Sequence, residues 1–159
     1  MNDNKKSHWE HIYEVKTPEE VSWTQEKPET SLDFIHSFGE DKTAKIIDIG
    51  GGDSKLVDFL LEEGYENISV LDISANALER AKKRLGEKAE KVTWIVADIT
   101  EFEPTEQYDI WHDRAVFHFL TDENDIKKYQ DLVAKAVKGN IVIGTFSING
   151  PLKCSGLEI

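Results

Sequence analysis

The alternation of short apolar runs with helical patterns is the strongest constraint this sequence places on its fold. From residue 40 onward the runs AKIIDIG, NISVLDI, VTWIVAD, YDIWHD and NIVIGTF are interleaved with SKLVDFLLEEG, SANALERAKKRLG and TDENDIKKYQDLVAKAVKG. In the second of these segments Ala77, Leu78, Ala81 and Leu85 fall at helical spacing, after a Ser74 cap and before Gly86. In the third, Ile126, Leu132, Val133, Ala136 and Val137 repeat the pattern between Thr121 and Gly139. The apolar runs are β-branched and almost uninterrupted, as strands are when helices cover both faces of a parallel sheet. The expected architecture is a doubly wound α/β sheet of about five parallel strands with right-handed crossovers. Before Gly39 the texture is aromatic and polar, with two prolines and two short helical patterns, so residues 1–39 read as an arm or lid and 40–159 as the α/β domain.

Ligands of such sheets bind outside the carboxyl ends of the strands. Asp48, Asp72, Asp98 and the His112–Asp113 pair sit at or near those ends. In IIDIGGGDS, residues 46–54, three consecutive glycines leave the first strand, and Gly50, Gly51 and Gly52 are expected to bring open backbone and its N–H groups close to a ligand. Asp72, twenty residues beyond Gly52, suits the hydroxyls of a ribose. A dinucleotide fingerprint GxGxxG beginning at Gly50 would need glycine where Lys55 stands, and no GK[ST] follows the glycines. Asp48 beside the loop disfavours a pyrophosphate and favours a ligand carrying positive charge. S-Adenosylmethionine, with an ammonium, a sulfonium, a ribose and no phosphate, meets these conditions.

IIDIGGGDS resembles motif I of the class I S-adenosylmethionine-dependent methyltransferases, VLDIS their motif II and VADIT the motif after strand three, and the resemblance runs from about residue 8 to the end of the chain. It implies a Rossmann-like methyltransferase sheet. It further implies that Asp48 and the Gly50–Gly52 backbone hold the methionine moiety, Asp72 the ribose diol, Ile73 one face of the adenine, and Asp98 with the Ile99 amide the adenine edge. Ser54 stands where the family motif has its last glycine. WHDRAVFHFL resembles a segment of a bacterial methyltransferase subgroup and, more loosely, the DKGTLDAL stretch of protein lysine methyltransferases, matching at Asp113, Arg114, Ala115, Val116, Phe117 and His118. HWEHIYEVKTPEEVSW resembles the N-terminal arm of these proteins, with Trp23 as the residue expected to cover the cofactor.

Methyl transfer from a sulfonium needs few catalytic groups, because the cofactor brings its own leaving group and the protein mainly aligns the acceptor and takes its proton. His112, Asp113, Arg114 and His118 are the residues at the methyl end. Asp113 and His118 are the catalytic candidates, His112 is assigned to the cofactor, and Arg114 joins Trp23 as a substrate or lid residue. Phe34 and Phe38, one turn apart, either line an acceptor pocket or pack the arm on the domain. His8 and His11 lack a third ligand, so no metal is expected, and the single cysteine, Cys154, excludes an internal disulfide.

The acceptor, a nitrogen, oxygen or sulfur on a protein lysine or a small molecule, is not legible. With 19 basic and 31 acidic residues the net charge is −12, which argues against nucleic acid and anionic membranes as partners. The N-terminal residues carry no apolar signal core, and the expected location is cytoplasmic. The resemblance implies seven strands, whereas the pattern supplies five. With strands six and seven missing, NIVIGTF is expected to form an exposed edge, which predicts either association of copies of the chain through that edge or a fragment of limited stability. A non-catalytic cofactor-binding module and another type of nucleotide-binding α/β protein are the alternative functions.

Overall fold

The computed structural model of the chain describes residues 3–21, 23–114 and 116–159; Ala115 of the WHDRAVFHFL segment lies outside them. Five parallel strands, β1 (Lys45–Ile49), β2 (Asn67–Asp72), β3 (Val92–Val96), β4 (Tyr108–Asp113) and β5 (Val137–Ile143), form one sheet in the order β3-β2-β1-β4-β5. The strand order reverses between β1 and β4, which is where such sheets open a crevice for ligands. The helices are α1 (Asp3–Val15), α2 (Glu29–Ser37), α3 (Leu56–Glu62), α4 (Ala75–Leu85) and α5 (Glu123–Ala136). No helix among the described residues is long and apolar enough to cross a membrane.

Alternating strand side chains feed two cores. Ile46, Ile68, Val70 and Ile110 pack with Leu32 and Ile35 of α2, Leu56 and Leu60 of α3, and Leu78 of α4. On the opposite face Ile47, Ile49, Leu71 and Trp111 pack with Tyr129, Leu132 and Ala136 of α5. The expected doubly wound sandwich is therefore present, and α2, which the change of texture at Gly39 assigns to the arm, contributes two fully buried residues to the sheet.

Within the second core a polar chain crosses the apolar packing. The Trp111 indole N–H donates to the Tyr129 hydroxyl at 3.0 Å, and that hydroxyl donates to Asp113 at 2.6 Å. Burial and the Asp113 charge push the Tyr129 hydroxyl far above its ordinary range. Tyr129→Phe keeps the ring, leaves the indole N–H without its acceptor and removes one donor from Asp113, so urea unfolding is expected to show a loss of about 1–3 kcal/mol, the cost of a buried polar group left unpaired.

Several boundaries differ from the sequence expectation. Asp122, not Thr121, caps α5, accepting from the Asn124 and Asp125 amides. At the other end, α5 passes straight into β5 at Val137, and Gly139 lies inside the strand. A side chain at Gly139 would run into the Asp109 carbonyl on β4, where the register shifts between Tyr108 and Ile110, so the glycine serves a close strand approach, not a helix stop. The first arm helix is longer than expected, at 13 residues. The C-terminal segment forms a small antiparallel pair, β6 (Lys153–Cys154) with β7 (Leu157–Glu158). Among the described residues β5 is a free edge, with Ile141 and Ile143 exposed at 46% and 43%.

Candidate active site

A cavity of about 490 Å³ lies over the carboxyl ends of all five strands, within the size range of small-molecule sites. Of the residues singled out from sequence, Asp48, Gly50, Gly51, Asp72, Ile73, Asp98, Ile99, His112, Arg114, His118 and Trp23 line it. Gly52 and Asp113 do not. Phe34 is half exposed on α2 and Phe38 packs against the first core, so neither belongs to this site.

The protein's own packing requires these glycines. Gly50 has φ +65°, and a side chain there would collide with Val116. A Cβ at Gly51 would lie 2.6 Å from Val70 and 2.8 Å from the Asp48 carboxylate. One at Gly52, where φ is +49°, would lie 2.7 Å from the Tyr13 hydroxyl. The space is taken by the protein's own side chains: the loop is clamped between the sheet, the segment after β4 and the arm. Gly51→Val is expected to shift Asp48 or the loop and to destabilise the fold by about 1–3 kcal/mol in urea unfolding, the range for overpacking.

Beneath the loop, Asp48 and His112 are register partners on β1 and β4 and face the same side of the sheet. His112 Nδ1 donates to Asp48 at 2.7 Å, which leaves Nε2 to accept from the Ser31 hydroxyl of α2 at 2.8 Å. Both nitrogens are thus occupied, and His112 positions Asp48. Asp113, one residue on, points to the opposite face. Its carboxylate accepts from Tyr129 at 2.6 Å and from the Val116 amide at 2.8 Å, holding the chain that leaves β4. The strand parity that separates His112 from Asp113 places Asp113 outside the cavity lining.

Asp72 is 5% exposed and accepts from the Ser74 amide at 2.8 Å. Burial, only partly offset by the Ser74 and Gly52 amides, together with the neighbouring Asp48 and Asp53 charges, pushes its carboxyl up to about 7. Asp98 caps the 3₁₀ turn Ile99–Glu101, accepting from the Thr100 amide and hydroxyl at 2.9 and 2.8 Å.

The arm closes the cavity. Trp9 lies edge-on to Trp23 and Phe119, with ring centroids 5.9 and 5.2 Å apart, and Tyr13 lies 6.5 Å from Trp23. Two polar ties hold α1 on α4. Arg80 donates to the Tyr13 carbonyl and pairs with Asp53 at 3.5 Å. Glu10 accepts from the Ser74 hydroxyl and the Ala75 amide, each at 2.8 Å, and from the Asn76 amide at 3.1 Å. Burial raises its carboxyl, but these donors outweigh it and hold Glu10 below the usual carboxylate range. Glu10 therefore caps α4 from another helix, beside the local Ser74 cap. Glu10→Ala is expected to cost about 1 kcal/mol in thermal unfolding, the scale of a lost N-cap, and to speed proteolysis between α1 and α2.

Past β4 the lining changes character. Arg114 donates to the Trp23 carbonyl at 2.8 Å. His118 stacks near Phe119 and Phe146, with centroids 4.2 and 5.1 Å away, and burial holds it below its ordinary range. Among the described residues, the buried side-chain polar atoms without a hydrogen-bond partner are His8 Nε2, Thr24 Oγ1, Asp53 Oδ2 and both ring nitrogens of His118. Thr24, Asp53 and His118 line this cavity; Asp53 Oδ2 faces Arg80 at 3.5 Å, whereas buried polar atoms with no partner, as on His118, are uncommon in native proteins. Of the site residues the sequence did not reveal, Glu10, Tyr13 and Ser31 have no local motif. Their partners lie on other elements.

Residues 46–140 match the family described as methyltransferase domain. The trans-aconitate 2-methyltransferase of Rhizobium etli is 32% identical over 107 residues, 67% of this chain and 40% of that protein. The malonyl-[acyl-carrier protein] O-methyltransferase of Anoxybacillus flavithermus is 38% identical over 78 residues, 48% of this chain and 29% of that protein. The chain thus spans less than half the length of either relative. Among solved structures, N-methyltransferase NodS from Bradyrhizobium japonicum, in complex with S-adenosyl-L-homocysteine, superposes with a TM-score of 0.69 at 19% identity, covering 89% of this chain and 72% of NodS. The family match takes in β1 through the start of β5, the part of the fold that builds most of the cavity wall, and the chain belongs to the methyltransferase domain family.

Proposed function

We propose that this chain binds S-adenosylmethionine in the cavity and catalyses in-line transfer of a methyl group to an acceptor on its β4–β5 side. The observation that carries the reading is the order of charges along the strand ends. Asp98, Asp72 and Asp48 follow β3, β2 and β1, and Arg114 and His118 follow β4. Four cavity acids, Asp53 included, disfavour a phosphate and suit a cationic, phosphate-free ligand. The relatives named above, methyltransferases both, support the same reading.

In this reading Asp72 accepts hydrogen bonds from the ribose diol, Ile73 lies against the adenine, and Asp98 with the Ile99 amide takes its edge. Asp48, held by His112, faces the ammonium group, and the Gly50–Gly52 loop supports the methionine moiety. When bound, S-adenosylmethionine supplies an electrophilic methyl carbon on a sulfonium leaving group. Trp9, Tyr13 and Trp23 exclude water from above. The acceptor, a small molecule or a protein lysine, would present a nitrogen, oxygen or sulfur. His118, whose ring burial keeps neutral near pH 7, would take the proton that the acceptor gives up.

Parallel calorimetric titrations with S-adenosylmethionine and NAD test the first step. Binding of the former alone supports the proposal, and no binding at about 1 mM, the weak end of specific affinities, overturns it. Transfer of radiolabelled methyl into a cell lysate tests the second step and separates protein from small-molecule acceptors. Binding without transfer would make the chain a cofactor-binding module. We also propose that copies associate through the β5 edge, where Ile141 and Ile143 are exposed. Light scattering that reads a monomer at high concentration would count against that.

A further inference from the structure

Arg114 stands apart from the chain's other two arginines. Arg84 grips the Asp58 carboxylate with two nitrogens, at 2.9 and 2.7 Å, and Arg80 pairs with Asp53. Arg114 has no carboxylate partner among the described residues, although acids outnumber bases 31 to 19 in this chain. Its one described hydrogen bond, to the Trp23 carbonyl, uses a single donor of the five that a guanidinium carries. The remaining donors belong to a group that lines the cavity. The backbone leaves room for it: a Cβ on Gly144, at the end of β5, would lie 3.2 Å from Arg114 Cγ.

The surroundings sharpen the point. His118, whose ring nitrogens have no hydrogen-bond partner among the described residues, lines the same side of the cavity. Lys5 also lines the cavity and reaches Asp125 of α5 at 3.7 Å, which puts this second cation on the α5 side of the sheet. The acids over β1, β2 and β3 are already engaged: Asp48 by His112, Asp72 by the Ser74 amide, Asp98 by Thr100. A cavity acidic at one end and cationic at the other selects a ligand pair of opposite polarity.

We infer that the methyl acceptor is a small molecule bearing a carboxylate, and that Arg114 binds this group with its free N–H donors. This rests on the methyltransferase reading and narrows it. A planar guanidinium fork matches a carboxylate in geometry as well as charge. The same guanidinium disfavours the ammonium of a lysine side chain at this end of the cavity, so the inference separates the two acceptor classes left open above. Because the chain as a whole is strongly acidic, long-range steering does not favour an anion. The local arginine has to supply the recognition.

The test uses the full chain saturated with S-adenosylhomocysteine, titrated with malonate as a minimal carboxylate probe and with malonamide as its neutral counterpart. Malonate is expected to bind and malonamide not. Arg114→Gln is expected to weaken malonate roughly tenfold or more, the effect of losing a charge-assisted pair, while S-adenosylhomocysteine affinity changes less than about threefold. Arg114→Lys, which keeps the charge and loses the fork, is expected to fall between. Three results would overturn the inference: no malonate binding to the saturated complex, equal binding of malonamide, or an Arg114→Gln variant that loses both ligands in equal measure, which would reduce Arg114 to a tie on Trp23. If S-adenosylhomocysteine itself fails to bind the unmodified chain, the methyltransferase reading falls and the inference with it. That result is distinct from the other three.

Discussion

Asp72→Asn is expected to weaken S-adenosylmethionine binding by roughly 10- to 100-fold, or about 1.5–3 kcal/mol, the contribution of hydrogen bonds to a charged acceptor. Asparagine keeps the size of the side chain and an oxygen for the Ser74 amide, so the fold is retained. It cannot offer an anion to a diol. The pH dependence carries a second signature. In the free protein the carboxyl titrates at about 7, because it is buried and faces Asp48 and Asp53. A cationic ligand that donates hydrogen bonds favours the ionised form and lowers that value in the complex. Below pH 7 binding must therefore remove a proton, and affinity falls as the pH drops. Between pH 7.5 and 5.5 the unmodified protein is expected to lose roughly 20-fold in affinity by linkage, and Asp72→Asn to lose little. Calorimetry in two buffers of different ionisation enthalpy would register the released proton directly. A flat profile in the unmodified protein would show that Asp72 is not the group the cofactor engages.

The same shift acts on stability with the opposite sense from an ordinary surface carboxylate. A folded value of about 7 lies above the unfolded value near 4. The native state thus holds the proton more tightly, and the stability associated with Asp72 is full below about pH 4, falls as pH rises towards 7, and is constant above. Ligand binding offsets this loss at neutral pH. A site that is costly when empty and relieved when filled is how a buried acid comes to serve recognition.

What could be read from the sequence divides along the distance between partners. Asp72 and Asp98 announce themselves locally, because each closes an apolar run and each bonds the amide two residues on. Glu10 and Ser31 do not. Glu10 meets Ser74 across 64 positions and Ser31 meets His112 across 81, and neither stretch contains a motif that demands a distant partner. The His112–Asp113 pair was legible as chemistry and misleading as geometry. Adjacent strand residues face opposite ways, so a pair in sequence becomes two separate anchors, one under β1 and one against α5. Val137 and Gly139 show a different limit. Val137 fits the helical spacing of α5 and also the β-branched run of β5, and Gly139 three residues after Ala136 resembles a helix stop until the Asp109 carbonyl beside it is known. In the glycine loop the residue type was legible and the packing that requires it was not. Val116, Val70 and Tyr13 fill the space that three side chains would need, and all three belong to other elements.

His118→Gln is expected to lower kcat by roughly 100-fold or more, the usual contribution of a positioned general base, with the affinity for S-adenosylmethionine nearly unchanged. The argument begins with burial. Both ring nitrogens are enclosed without a hydrogen-bond partner among the described residues, and the ring lies against Phe119 and Phe146. An imidazolium in that setting would be unsolvated, so the neutral base is favoured and its titration moves to lower pH. The rate is therefore expected to be level through neutrality and to fall only on the acid side of the ordinary histidine range, since the base must be unprotonated to act. In the glutamine variant that acid limb should vanish along with most of the rate. Two controls separate this from a packing role. Asp113→Asn, a change outside the cavity, should lower thermal stability and leave the acid limb in place. An acceptor that arrives already deprotonated, such as a carboxylate methylated on oxygen, needs no base, and with it His118→Gln should cost far less. A variant that lost binding and turnover together with every acceptor would assign His118 to the aromatic wall of the cavity instead of the chemistry.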